Sequence, residues 1–223
     1  MTPGKTNRYA VLLVDLVGSQ EMEDREEATR KFKRSIRDFN AANSDMTVSE
    51  MEITRGDEAA VVMTRIDRLY DMVTAFIGCM KPIGCRFVVT YGELTAGLKS
   101  RRSTEIDGPA FYRADAAMRE LKHTTGWFRL ETGHAARDGG ITALVNLILL
   151  QKDQMTDFQS NVAELYASGK TQSEVARKLK RTQQQVSQAV RAVRFDLLRD
   201  ADLAVRGMLG ELQAMISGGG PDA

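Results

Sequence analysis

Two sets of side chains in this sequence have the types and spacing for chemistry. In the first, Asp15 closes the apolar run YAVLLVDL and is followed by Leu16, Val17, Gly18 and Ser19, while Asp57 sits in the segment TRGDEA. Two carboxylates on adjacent strand ends can hold magnesium, and the exposed backbone N–H groups of a turn can hold phosphate oxygens. The expected metal ligands are therefore Asp15 and Asp57, with Leu16, Val17, Gly18 and Ser19 on the phosphates of a nucleotide. The second set lies in TQSEVARKLKRTQQQVSQAVRAV. Glutamine amides and hydroxyls can pair with base edges in the major groove of duplex DNA, and a glutamine matches adenine with one donor and one acceptor. Thr171, Arg181, Thr182, Gln183, Gln184, Gln185, Ser187, Gln188 and Arg191 are the expected DNA-binding residues. Around them lie Lys170, Arg177, Lys178, Lys180 and Arg194, opposed between 170 and 194 by Glu174 alone. That excess would neutralise phosphates and make binding depend on salt.

The elements that must position these residues are legible from periodicity. Residues 9–16 are almost continuously apolar and rich in β-formers, as in a central strand covered on both faces. Residues 25–40 carry Ala28, Phe32, Ile36 and Phe39 at helical spacing, with Asp24 as N-cap. Residues 46–54 and 58–63 are β-like runs joined by Arg55-Gly56-Asp57, a tight hairpin with Asp57 at its tip. A helix over 66–80, a strand over 86–94, a helix over 110–121 and a short strand over 127–131 complete the order β-α-β-β-α-β-α-β. That order is a ferredoxin-like or palm α+β domain, placed at 1–140.

After it the pattern is helical throughout. Residues 141–155 read as a connecting helix, and 156–195 as three short helices over 157–167, 172–179 and 183–193. Thr171 opens a capping box with Glu174, while Val175, Ala176, Leu179, Val186 and Val190 face a core. In a final helix over 196–217, Leu198, Ala201, Val205, Met208, Leu212 and Met215 recur at three- and four-residue steps. That seam could join two chains as a homodimer or pack back on the same chain. Residues 218–223 form a glycine-rich tail.

Composition sets the class without choosing the function. Over 223 residues the chain is 43% hydrophobic and 27% charged with a formal net charge of +1, so only local charge can attract nucleic acid. Two cysteines, Cys79 and Cys85, and two histidines give no zinc spacing and point to a reduced, cytoplasmic protein with both thiols in the core. No run approaches the ~18 apolar residues that a membrane span requires, so no membrane partner is expected.

The three-helix segment resembles the helix-turn-helix of bacterial regulators and of sigma-factor region 4, although Lys180 stands where that pattern usually has glycine. VDLVGSQ and TRGDEA resemble the class III nucleotidyl cyclases and GGDEF-type palm domains. The later segments YGELTAG and IDGPAFYRADAAMREL follow in the cyclase order. As a set these motifs resemble most closely the SatD family, with its DxxGS, RGDE and DGPAFYRA pattern across residues 9–121. The resemblance implies a nucleotide ligand held with Mg2+, adding Arg55, Gly56 and Asp107 to the nucleotide-binding residues and Glu58 as a polar neighbour. It also implies a loss: the cyclase base-recognition lysine falls on Ile53, and the transition-state asparagine and arginine on Tyr112 and Ala116. Without those charges phosphoryl transfer loses most of its stabilisation. The leading expectation is a DNA-binding regulator that senses a nucleotide. A nucleotidyl cyclase or nucleotide polymerase is the alternative, and an adaptor with vestigial sites a third.

Overall fold

The structure is a computed structural model that describes residues 8–18 and 24–218. It divides into two compact units, Met1–Thr142 with Met208–Ala223, and Ala143–Gly207, with the dividing points inside two long helices.

In the first unit the elements run β1 (Arg8–Leu16), α1 (Arg25–Asn43), β2 (Glu52–Arg55), β3 (Glu58–Met63), α2 (Leu69–Met80), β4 (Cys85–Glu93), α3 (Pro109–Lys122) and β5 (Phe128–Glu131). This is the expected α+β order. The sheet order β2-β3-β1-β4-β5, antiparallel except for the β4–β5 pair, is that of a ferredoxin-like sheet with one strand added. Because β1 is central, both its faces are covered, which explains why its apolar run does not alternate. Val11 and Leu13 point to one side, where they pack with Ala60, Val62 and Val88 against Ala110, Ala114, Ala117, Met118 and Leu121 of α3. On the other side Phe76 of α2 meets Phe32 and Phe39 of α1 and Phe87 of β4 edge to face, with ring centroids 5.8–6.4 Å apart.

Local chemistry sets the ends of these elements. Asp24 caps α1 by accepting from the Glu27 amide at 2.8 Å. Gly56, at φ 40°, turns the β2–β3 hairpin. Gly108 stands at φ 153°, and a Cβ there would lie 2.8 Å from the Leu94 Cα, so the glycine of the DGPAFYRA segment lets α3 start directly against the chain leaving β4. Pro109 follows at the first turn of the helix, where its missing N–H costs nothing. One expectation needs correction. Residues 46–54 are not one long strand: only Glu52–Arg55 is regular, and Thr47 and Glu50 make isolated bridges to Met63 and Arg102.

The second unit contains the end of α4 (Ala135–Asp153), then α5 (Asp157–Ala167), α6 (Gln172–Leu179) and α7 (Gln183–Ala192), and the start of α8 (Phe195–Ser217). Val162, Val175, Ala176, Val186 and Ala189 form its small core, with Phe158, Leu165, Leu179 and Val190 packed around them. Each short helix opens with a complete capping box, Thr156 with Gln159, Thr171 with Glu174 and Thr182 with Gln185. Lys180 adopts the left-handed conformation, φ 53° and ψ 48°, where the resemblance would put glycine. The Arg181 amide reaches back to the Ala176 carbonyl at 2.9 Å, closing the helix end and holding the turn in spite of the Cβ.

Candidate functional site

Alternation along β1 puts Asp15 on the same face as Val11 and Leu13, beneath α3. Strand register places Glu58 of β3 on one side of it and Arg86 of β4 on the other. The Leu16 amide donates to the Asp57 carbonyl at 3.2 Å, so the hairpin tip lies beside the end of β1 as the sequence implied. The structure thus brings Asp15, Asp57 and Glu58 together. It also adds two cations that sequence reasoning missed. Lys122, in the last turn of α3, puts its Nζ 2.7 Å from Asp15 Oδ1 and 3.1 Å from Glu58 Oε1, and Arg86 Nη1 lies 3.6 Å from Asp15 Oδ2. Lys122 continues the i, i+4 row of Ala114 and Met118, and Arg86 is one residue past the start of β4, so the sequence shows their faces but not their pairing with Asp15.

The electrostatics follow from burial. Asp15 exposes 2% of its side chain, and loss of water pushes its carboxyl above the ordinary 3.8, with the charges of Asp57 and Glu58 adding to the rise and Lys122 opposing it. For Lys122 burial acts downward, but the bonds to Asp15 and Glu58 outweigh it and hold the ammonium above its ordinary 10.5. Such an arrangement does not fit a divalent ion. The buried carboxylate already faces two cations, and among the described residues no three His, Cys, Asp or Glu side chains converge as a metal requires.

The turn after β1 also differs from a free phosphate loop. The Leu16 amide is taken by the Asp57 carbonyl, and the Val17 amide by the Gly84 carbonyl at 2.9 Å. Gly18 turns the chain at φ 66°, and Ser19 lies outside the described residues. Arg55 and Asp107 instead line a cleft of about 290 Å3 on the α3 side of the sheet, together with Thr54, Glu58, Thr104 and Asp115. Gly56 lies in the hairpin turn next to Arg55. One wall of the cleft is fixed to β2, since Arg102 and Thr104 both donate to Glu52. Asp107 is preset: its Oδ1 accepts from the Gly108 amide at 2.8 Å and its Oδ2 from the Tyr112 hydroxyl at 2.7 Å. Tyr112, another residue of the cleft wall, offers no positive charge.

In the second unit Gln183, Gln184, Gln188 and Arg191 are exposed on α7 and Ser187 is half-buried. Three of the expected DNA-binding residues hold the fold itself. The Thr171 and Thr182 hydroxyls accept from the Glu174 and Gln185 amides, and the Gln185 side-chain oxygen accepts from the Thr182 amide. Arg181 lies over the Phe158 ring at 5.9 Å, which fixes its stem on α5.

The SatD family model matches residues 9–192. The chain belongs to the SatD family. No curated protein matches this SatD-family chain. Among solved structures, a guanylyl cyclase, Cya2, is similar over 55% of this chain and 74% of its own at 16% identity and a TM-score of 0.40. A bacterial light-regulated adenylyl cyclase covers the same shares at 11% identity and 0.39. A regulator of polyketide synthase expression from Bifidobacterium adolescentis matches 92% of this chain and 83% of its own, at 12% identity and 0.24. The ferredoxin-like assignment stands on strand order and register, independent of these distant likenesses. Among the described residues no helix is long and apolar enough to cross a membrane.

Proposed function

We propose that this SatD-family chain is a DNA-binding regulator whose ferredoxin-like unit takes a nucleotide-class ligand. The observation that carries the reading is the three-helix unit. Its second and third helices start at capping boxes, and the third presents Gln183, Gln184, Gln188 and Arg191 outward. Exposed cationic Arg177, Lys178, Lys180 and Arg194 flank that face in a chain whose formal net charge is only +1. In the other unit the cleft bounded by Arg55 and Asp107 offers a cation for phosphate and a held carboxylate for hydroxyl or amine donors.

Fluorescence anisotropy with a random-sequence duplex pool, followed by selection of the bound fraction, tests the DNA half. Gln184→Ala is expected to relax sequence choice. Arg181→Ala should weaken all duplexes alike and lower the salt slope by about 1. Absence of duplex binding in dilute buffer ends the regulator reading. For the ligand half, Arg55→Ala and Asp107→Asn are expected to weaken binding of a nucleoside triphosphate in calorimetry, with the fold unchanged.

A further inference from the structure

At the end of β1 acidic side chains of β1 and β3 lie together, and the cation among them belongs to the chain. The Lys122 ammonium reaches two of them at once, Asp15 at 2.7 Å and Glu58 at 3.1 Å. Arg86 meets the remaining oxygen of Asp15 at 3.6 Å. Asp15 Oδ1 is buried, and the Lys122 ammonium at 2.7 Å is the opposite charge that meets it there. An ammonium bridging two carboxylates, one from each of two neighbouring strands, performs the bridging task of a metal ion with one charge in place of two. Its position is also enforced. The preceding turn of α3 is anchored in the core through Ala117, Met118 and Leu121, so the stem of Lys122 leaves the helix next to the end of β1.

We propose that Lys122 is a tethered cation that replaces the divalent ion at Asp15 and Glu58, making ligand binding by the ferredoxin-like unit independent of metal. The inference rests on the nucleotide reading above for its ligand, but not for its cation. With 37% of its side chain exposed, the ammonium keeps a face toward solvent from which it can donate to an anionic group while bridging the carboxylates. A divalent ion would have to displace it and would then face Arg86. Removing Lys122 reverses the situation. Asp15 and Glu58 become a carboxylate pair without their shared counter-ion, open to an ion from solution.

Thermal melting and titration with Mn2+ alone decide this without nucleotide or DNA. The unmodified protein is expected to show no tight Mn2+ site by electron paramagnetic resonance and no change in Tm with millimolar Mn2+. Lys122→Met should melt lower, and Mn2+ should return much of the loss. If Lys122→Met folds poorly, Mn2+ present during refolding should restore it. The double variant Asp15→Asn with Lys122→Met removes charge from both partners and should fold without responding to Mn2+. A tight Mn2+ site in the unmodified protein overturns the proposal, as does a Lys122→Met protein indifferent to Mn2+ both in melting and in refolding. Nucleoside triphosphate binding by the unmodified protein should then survive chelation by EDTA. Loss of that binding on chelation also overturns the proposal, whereas failure to bind any nucleotide refutes the reading of the ligand and leaves the Mn2+ result to decide the cation.

Discussion

At the scale of single residues, burial decides which groups react. The composition suggested two inert core thiols, but only Cys85 is buried; Cys79 is exposed in the last turn of α2. Burial, with the charge of Asp15 nearby, pushes the Cys85 thiol up to about 12. It is held as the protonated thiol at neutral pH, and its burial shields it from reagents. Native protein treated with iodoacetamide is therefore expected to gain one adduct, at Cys79, and unfolded protein two. Two adducts on native protein by intact-mass spectrometry would place Cys85 at the surface. Lys122 shows the converse: a residue that composition counts as one more surface lysine is fixed by the two carboxylates it reaches.

At the scale of elements, the capping boxes are the devices that let helices of 8 to 11 residues persist. Glu174 accepts from both the Thr171 amide and its hydroxyl at 2.8 Å, and these bonds hold its carboxyl below the ordinary 4.5. A carboxyl depressed in the folded state contributes stability above its unfolded pKa and loses it as pH falls through the folded one. The three-helix unit should therefore become easier to melt as acid is added below the ordinary value, and Glu174→Gln should remove that part of the slope. Circular dichroism melts of the two proteins across the acid range test this, and parallel curves would show that the cap carries no charge-dependent stability. The same scale explains the shortened β2. Bridges to Met63 and Arg102 take up residues 47–50 one at a time, which an alternating pattern alone does not reveal.

At the scale of the whole molecule, the chain leaves the first unit and comes back to it. The last part of α8 belongs to the unit that contains the sheet, where Leu209 and Leu212 are fully buried. Gln213 accepts from the Ile66 amide at 2.6 Å, and the Ile216 carbonyl accepts from the Tyr91 hydroxyl. The apolar seam of this helix is thus partly used within one chain, with Val205 and Leu212 both at 0% exposure. Leu212→Ala is expected to destabilise the sheet-containing unit by about 2–5 kcal/mol, the usual range for a buried leucine. Chemical denaturation followed by the fluorescence of Trp127, just ahead of β5, reads this out. An unchanged midpoint would mean that the helix end adds nothing to that core.

The sequence by itself determined the order of elements, the capping box of Thr171 with Glu174, the turn at Lys180 as a departure from glycine and the meeting of Asp15 with the hairpin tip. Each of these is written in local spacing: a period of two or of 3.6, a threonine three residues before an acid, a glycine between two strands. What surrounds Asp15 is different in kind. Lys122 stands 107 positions away and Arg86 71 positions away, by difference of their residue numbers, and no local pattern pairs them with Asp15. Only when β4 lies beside β1 and α3 crosses the sheet do their charges converge on one buried carboxylate. Tertiary structure alone decided that this end of the sheet carries its own cation, because Coulomb attraction depends on distance in space, which the chain sets only after it has folded.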